Sequence, residues 1–330
     1  MESTHETTRL YRVLTPDDRG EIMIGLRNGE SVRSIARRLE RQASVILREI
    51  QANSTEDARY QSHWAQKRSE RRRRTSRQRE RISDRGVRFY VHEKLKEGWS
   101  PEQIAGRIRL EMPNKRINHE TIYQYVFKKE PSLTKYLQCG RKKRKKRVHK
   151  RTKRVLIPYR TGIEERPQEI NSRKENGHWE GDTAVSSQSK AALMVLQERS
   201  LGLTLLRKLP RCAPQELNIA IIERLSGLAP EMRRSITFDN GQENRHHHEL
   251  HDAIGVQTFF CNPYRSWEKG SVENAVGLTR RVWPKKTDYA LISEGEVATL
   301  EYRLNTRPRK RLGYLTPLEY AARVALTALI

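Results

Sequence analysis

Residues 177–209 read GHWEGDTAVSSQSKAALMVLQERSLGLTLLRKL, and this stretch decides the fold. HWEGDTAV, AALMVLQE and GLTLLRKL are three successive strand candidates, each short, largely apolar and bounded by polar or glycine-containing turns. Beyond them the texture alternates. Residues 213–226 read as a helix, SITFD as a short strand ending at Asp239, and 244–254 as a helix. A strand over 256–260 and a helix from about Lys269 follow. Three leading strands and then alternation imply a mixed sheet covered by helices.

Upstream, the chain is helical and basic. Residues 14–53 read as three short helices. Thr15-Pro16-Asp17-Asp18 supplies a cap, a proline at the first helical position and an acid at the third, and Ser31 caps the second helix. The third, from about Gln42 to Ala52, turns Val45, Ile46 and Ile50 inward and Ser44, Arg48 and Gln51 outward. Three compact helices with a short turn before the last describe a helix-turn-helix, and the outward residues are its DNA-contact candidates. Arginine then fills eight of the fourteen positions 68–81, including Arg71, Arg72, Arg73 and Arg74. A charge run is usually a solvated face or linker; lying between two candidate DNA-binding units, this one is read as phosphate-contacting. Ser100-Pro101-Glu102-Gln103 and Asn118 open two helices of a second helical unit. After it, eleven of the fourteen residues 141–154 are Lys or Arg, beginning Arg141, Lys142, Lys143, Arg144, a stretch read as linker pressed against DNA. The expected boundaries are 1–60 for the helix-turn-helix, 61–83 for a basic linker and 84–130 for the second helical unit. A second basic linker spans 131–170, and the sheet-containing domain with C-terminal helices spans 171–330.

The formal charge is +26, from 66 basic against 40 acidic residues. A field of that sign concentrates polyanions, so nucleic acid is the expected partner. An anionic membrane surface is the rival, but there is neither a long apolar run nor a basic amphipathic segment with a strong aromatic face. The opening MESTHETTRL lacks an apolar signal core, which places the expected location in the cytosol or nucleoid. Cys139, Cys212 and Cys261 are scattered and form no Cys-x-x-Cys pair, so neither zinc nor a disulfide framework is implied.

Three carboxylates stand out by position. Asp182 lies in the first strand candidate, Asp239 ends the fourth, and Glu273 lies on the helix after the fifth. In an open sheet the crevice lies beyond the carboxyl ends of the strands, where Asp239 points. Oxygen-only clusters suit hard cations such as magnesium, which keep some water and are completed by substrate phosphate. Two such ions, roughly 3.5–4 Å apart, stabilise both the attacking and the leaving oxygen of an in-line phosphoryl displacement. Asn240-Gly241 after Asp239 is a turn that leaves the carboxylate exposed. Arg280, two helical turns beyond Glu273, falls on the same face and is placed to hold a phosphate.

With 33 residues between Asp239 and Glu273, the triple resembles the DDE core shared by transposases and retroviral integrases. GHWEGD (177–182), FDNGQEN (238–244), NPYRSWEKGSVENAVGLTRR (262–281), PKKTD (284–288) and LNTRPRKRLGYLTPLEY (304–320) resemble, more narrowly, bacterial insertion-sequence transposases of the IS-thirty family. Ser34 to Leu39 and Ser44 to Ile50 resemble that family's helix-turn-helix; GWSPEQIAGRI and NHETIYQYV resemble its second helical unit. Glu40 departs from the pattern, standing where glycine is expected. The resemblance implies an α+β chain: helix-turn-helix units, then a ribonuclease-H-like core binding two divalent ions and acting on element ends as a homodimer or higher homo-oligomer. Asp182, Asp239 and Glu273 become the catalytic and metal-ligating set, with two Mg2+ ions that Mn2+ can replace. Lys269 and Arg280, flanking Glu273, join the DNA-contact candidates, and the partners are double-stranded terminal repeats and target DNA.

Other signals carry plainer readings. His246-His247-His248 looks like a metal tract, yet consecutive residues point around a helix and converge poorly on one ion. Glu180, on the strand face of Asp182, can touch metal but is more often structural. Trp179 and His178 read as packing groups, and Trp267 as packing or as a platform for a splayed base. The expected activity is DNA strand cleavage by water, followed by joining through the freed 3′-hydroxyl, with no covalent protein–DNA intermediate. A DNA-binding regulator with a dead core is the alternative, opposed by the presence of all three acids. A simple metal-dependent nuclease is opposed by the separate DNA-reading units.

Overall fold

The computed structural model of the chain describes residues 13–54, 59–78, 82–137, 157–263 and 265–327. Arg141, Lys142, Lys143, Arg144 and Cys139 lie outside these. Two compact units form, Met1–Ser83 and Asp84–Ile330.

In the first unit, α1 (Pro16–Arg27) and α2 (Val32–Arg38) form as their caps specify, and α3 (Ala43–Asn53) follows without a side-chain cap. Thr15 and Asp18 exchange side-chain and backbone hydrogen bonds in a capping box, and the Ser31 hydroxyl accepts from the Ser34 amide. Ile22, Ile35 and Ile46 are completely buried together. The turn between α2 and α3 puts Glu40 at φ 52°, the left-handed region that costs a side-chain-bearing residue about 1–2 kcal/mol. That is the physical reason for expecting glycine there. The linker expected over 61–83 is instead, in its described part, a helix, α4 (Ser62–Gln78). Ala65 is wholly buried in the three-helix core. Buried Arg19 donates to Glu49 of α3 and to Gln66 and Ser69 of α4, so the arginine-rich segment is fastened by its inner face.

The second unit opens with α5 (Arg85–Lys96), α6 (Pro101–Glu111) and α7 (His119–Lys128), capped by Asp84, Ser100 and Asn118. The linker expected over 131–170 is also shorter than read. Leu133 is buried in a 3-10 turn after α7, Ile157 lies in the sheet core, and Gly162 bridges Phe260 before α8 (Gln168–Ser172).

The sheet follows: β1 (His178–Val185), β2 (Ala192–Glu198), β3 (Thr204–Leu209), β4 (Ser235–Phe238) and β5 (Gln257–Phe260). Its order is β3-β2-β1-β4-β5, with the first three strands antiparallel and β1, β4 and β5 parallel. This is the mixed sheet, covered by helices, that was expected. Strand alternation splits the packing between two faces. Trp179, Met194, Leu196, Ile236 and Phe260 pack on one side against α9 (Pro214–Leu225) and α10 (His248–Ile254). Ala184, Leu193 and Val195 pack on the other against α11 (Gly270–Val282) and α12 (Glu294–Asn305). The helix expected over 244–254 is divided: a 3-10 turn spans Gln242–Asn244 and α10 begins only at His248. The free edge of β3 is closed by α12, where Asn305 bonds both backbone groups of Thr204 and Glu301 accepts the Leu206 amide at 2.6 Å. Finally α13 (Pro317–Thr327) ends the described chain. Gly106 of α6 lies under the Tyr314 ring so closely that a Cβ would sit 2.2 Å from it. Only glycine permits that approach of the second helical unit to the C-terminal segment.

Candidate active site

The β1–β4 register pairs Glu180 with Thr237. Two residues further on, Asp182 within β1 comes level with Asp239, the residue just past the carboxyl end of β4. They share one cation: Lys269 Nζ lies 3.2 Å from Asp182 Oδ1 and 3.0 Å from Asp239 Oδ2. The lysine side chain is only 4% exposed, and its ammonium also approaches the Gly181 carbonyl at 3.5 Å. Burial alone would lower its pKa, but the charges of Asp182 and Asp239 override this and hold it above the ordinary lysine value. Lys269 was expected on DNA; in the structure its ammonium faces inward.

Hydrogen bonds fix both aspartates. Asp182 Oδ1 accepts from the Thr183 amide, while Asp239 Oδ1 accepts from the Gly241 amide at 3.3 Å and from Asn244 Nδ2 at 3.2 Å. Asn244 is buried and also donates to the Asp239 carbonyl. Asn240 Nδ2 donates to the Cys261 carbonyl at 2.8 Å, tying the turn to the end of β5. Glu243 stands nearby: burial, then the charges of Asp239 and Asp182, push its carboxyl above the usual range. Asn240, Glu243 and Asn244 all lie inside the quoted FDNGQEN stretch, yet their roles depend on how the turn folds.

Glu273 lies in the first turn of α11 and is exposed, as is Arg280; the helix buries Val272, Ala275, Val276, Leu278 and Thr279 on its other side. Glu273 and Arg280 therefore share an outer face. Among the described residues, no three acidic, histidine or cysteine side chains converge as a ready-made metal site. The structure brings Asp182 and Asp239 together through Lys269, whereas Glu273 is exposed in the first turn of α11. The start of α11 is set by Glu180, which is completely buried. Its Oε2 accepts from the Ser271 and Val272 amides at 2.8 and 3.0 Å, and its Oε1 from Arg199. The carboxylate thus satisfies two of the open N–H groups of the helix and complements its positive end.

In the first unit, Ser44, Arg48 and Gln51 lie along one exposed face of α3, with Arg48 Nε bonded to the Ser44 carbonyl at 3.0 Å. Arg71, Arg72, Arg73 and Arg74 are exposed on α4, and Arg72 reaches Asn53 Oδ1 at 3.4 Å. His247 is buried, with Nδ1 2.7 Å from Thr258 Oγ1 and Nε2 2.8 Å from the Pro158 carbonyl. That is a packing role. Trp179 is buried and bonded to the Met232 carbonyl, His178 meets Ser235 Oγ, and Trp267 is 69% exposed. Among the described residues no helix is long and apolar enough to cross a membrane.

Comparison with known proteins gives one family match and three relatives of one kind. The family described as "Helix-turn-helix domain" matches residues 11–53. The chain is 33% identical over 327 residues to the transposase for insertion sequence element IS1086 of Cupriavidus metallidurans, covering 96% of each. It is 34% identical to the transposase for IS4351 of Bacteroides fragilis, covering 93% of this chain and 94% of that one. To the transposase InsI for IS30C of Escherichia coli it is 35% identical, covering 98% and 87%.

Proposed function

The chain belongs to the insertion-sequence transposases, and on that premise we propose how its residues divide the work of a DNA transposase. Asp182, Asp239 and Glu273 form the catalytic set and would hold two divalent ions, Mg2+ or, in its place, Mn2+. The observation that carries this reading is the convergence of Asp182 and Asp239, from neighbouring strands, on a single cationic atom at 3.2 and 3.0 Å. The donors are all oxygen, which suits a hard cation. Glu273 stands on a helix whose start is fastened to β1 through Glu180. Bound there, the ions would stabilise the attacking and leaving oxygens of an in-line displacement.

The chain's own groups do the rest. Asn244 holds the Asp239 carboxylate in one orientation. Arg280, on the outer face with Glu273, grips a phosphate flanking the bond to be cut. Ser44, Arg48 and Gln51 on α3 read the terminal repeats, and Arg71 to Arg74, with the basic stretch from Arg141 to Arg144, contact phosphates. Water attacks the phosphodiester at the element end and the P–O bond to the 3′ oxygen breaks; a proton of the water is delivered through solvent to that oxygen, leaving a 5′-phosphate and a 3′-hydroxyl. The freed 3′-hydroxyl attacks target DNA in the same way. The protein works in the bacterial cytosol as a homodimer or higher homo-oligomer that brings two ends together.

Strand cleavage and joining on DNA carrying the native element ends is the test. Product is expected with Mg2+ and none with a chelator. Asp182→Asn, Asp239→Asn and Glu273→Gln are each expected to fall to the chelated level while still retaining end DNA in a gel-shift assay. Cleavage near the wild-type level by any of them would remove that residue from the set.

A further inference from the structure

We infer that Lys269 is a built-in rival of the divalent ion: its ammonium occupies the point between Asp182 and Asp239 that a metal must take, so metal binding requires the side chain to leave. The inference rests on the metal-binding reading of these aspartates and adds a residue that sets how tightly they bind. Three observations carry it. The ammonium sits 3.2 and 3.0 Å from one oxygen of each aspartate. A magnesium-sized ion bound by the same oxygens sits about 2.0–2.1 Å from them, so the two cations cannot share the space. The lysine side chain is 4% exposed, so the ammonium is held at that point away from solvent. Two neighbouring carboxylates repel each other, and here the ammonium offsets that repulsion within the protein itself.

The position of Lys269 in the chain gives its movement a consequence. It is the residue immediately before α11, and Glu273 lies in the first turn of that helix. The segment that withdraws the ammonium is thus the one that carries the third acid. A lysine serving only as a structural staple would stay in place when metal binds. That difference can be measured.

The experiment uses the full-length protein and Mn2+ alone, with binding followed by electron paramagnetic resonance. Lys269→Met removes the charge at similar length, and Lys269→Arg keeps a cation. The Met variant is expected to bind Mn2+ at least tenfold more tightly than wild type, and the Arg variant within about threefold of it. In parallel, wild-type protein is labelled with an amine-reactive acetyl ester and the peptide carrying Lys269 is quantified by mass spectrometry. Labelling of Lys269 is expected to rise several-fold when Mn2+ saturates the site, while other lysines keep their rates. This second arm needs no variant to fold. Saturable Mn2+ binding with the same affinity in the Met variant, or with unchanged labelling of Lys269, overturns the inference and leaves the metal reading standing. No Mn2+ binding by wild type or by a folded Met variant overturns both.

Discussion

Asn244 is a buried amide that spans the carbonyl and one carboxylate oxygen of Asp239, so it decides which oxygen faces the rest of the site. Groups that orient a ligand in this way typically contribute about 10–100-fold to metal affinity or activity. Asn244→Ala is therefore expected to lower cleavage by a factor in that range, with Mn2+ affinity falling in step and end-DNA retention unchanged. Cleavage within twofold of wild type would mean that the Gly241 amide alone holds the carboxylate. Asp239 was legible in the sequence because an acid at a strand end before Asn-Gly is a local pattern. Asn244 was not, since its value depends on a 3-10 turn folding the chain back onto that acid. Lys269 was misread for a related reason. A lysine beside a helix start looks like any surface cation until two strands bring their aspartates to it. Glu40 stood out in the sequence only as a departure from an expected glycine; the left-handed backbone at that position supplies the reason.

At the scale of elements, α11 is the piece that must be placed correctly, and Glu180 places it. The carboxylate joins the first amides of α11 to β1 and neutralises Arg199, whose side chain is 6% exposed. Glu180→Gln weakens the tie to the helix and leaves the guanidinium buried without its charge partner. Breaking such a pair costs about 3–5 kcal/mol, so the sheet domain is expected to unfold at a lower temperature and cleavage to fall. Adding Arg199→Met removes the orphaned charge, and stability should largely return. Cleavage should not return if Glu180 positions the helix that bears Glu273. Full recovery of both in the double variant would reduce Glu180 to a structural acid. The strands and most helices were legible, because capping residues and two-residue alternation are written locally. The helix α4 was not: its arginines read as a solvated run, while its burial depends on Arg19, Ala65 and Ser69 meeting at long range. The closing of β3 by Asn305 and Glu301 has no local signature either.

For the whole molecule, the division of the chain was the hardest thing to read. The sequence drew a boundary after residue 130, whereas Asp84–Ile330 form one compact unit, because α6 meets partners about two hundred positions away. Gln103 donates to the Pro308 carbonyl at 2.7 Å and accepts from Arg307, and Lys310 pairs with Glu102. Arg107 grips both oxygens of Glu319 and donates to the Tyr314 carbonyl. The Arg107 guanidinium draws the Glu319 carboxyl down to about 2 from an ordinary 4.5. A depressed carboxylate contributes its stability above the unfolded-state value of 4.5 and loses it as pH falls toward 2. Glu319 is 41% exposed, so solvent screening limits the pair to roughly 1 kcal/mol or less. That is too little to unfold the unit and enough to change how often α6 lifts away. Hydrogen exchange of the α6 amides is therefore expected to quicken severalfold in Glu319→Gln at neutral pH, with the central strand β2 unchanged as the internal reference. Wild type should approach the variant's α6 rates, after correction for intrinsic exchange, as pH is lowered from 4.5 toward 2, and the variant's own corrected rates should change less over that window. Equal α6 exchange in the two proteins at neutral pH would show that Gly106 against Tyr314, with the Gln103 bonds, holds the second helical unit in place without the ion pair.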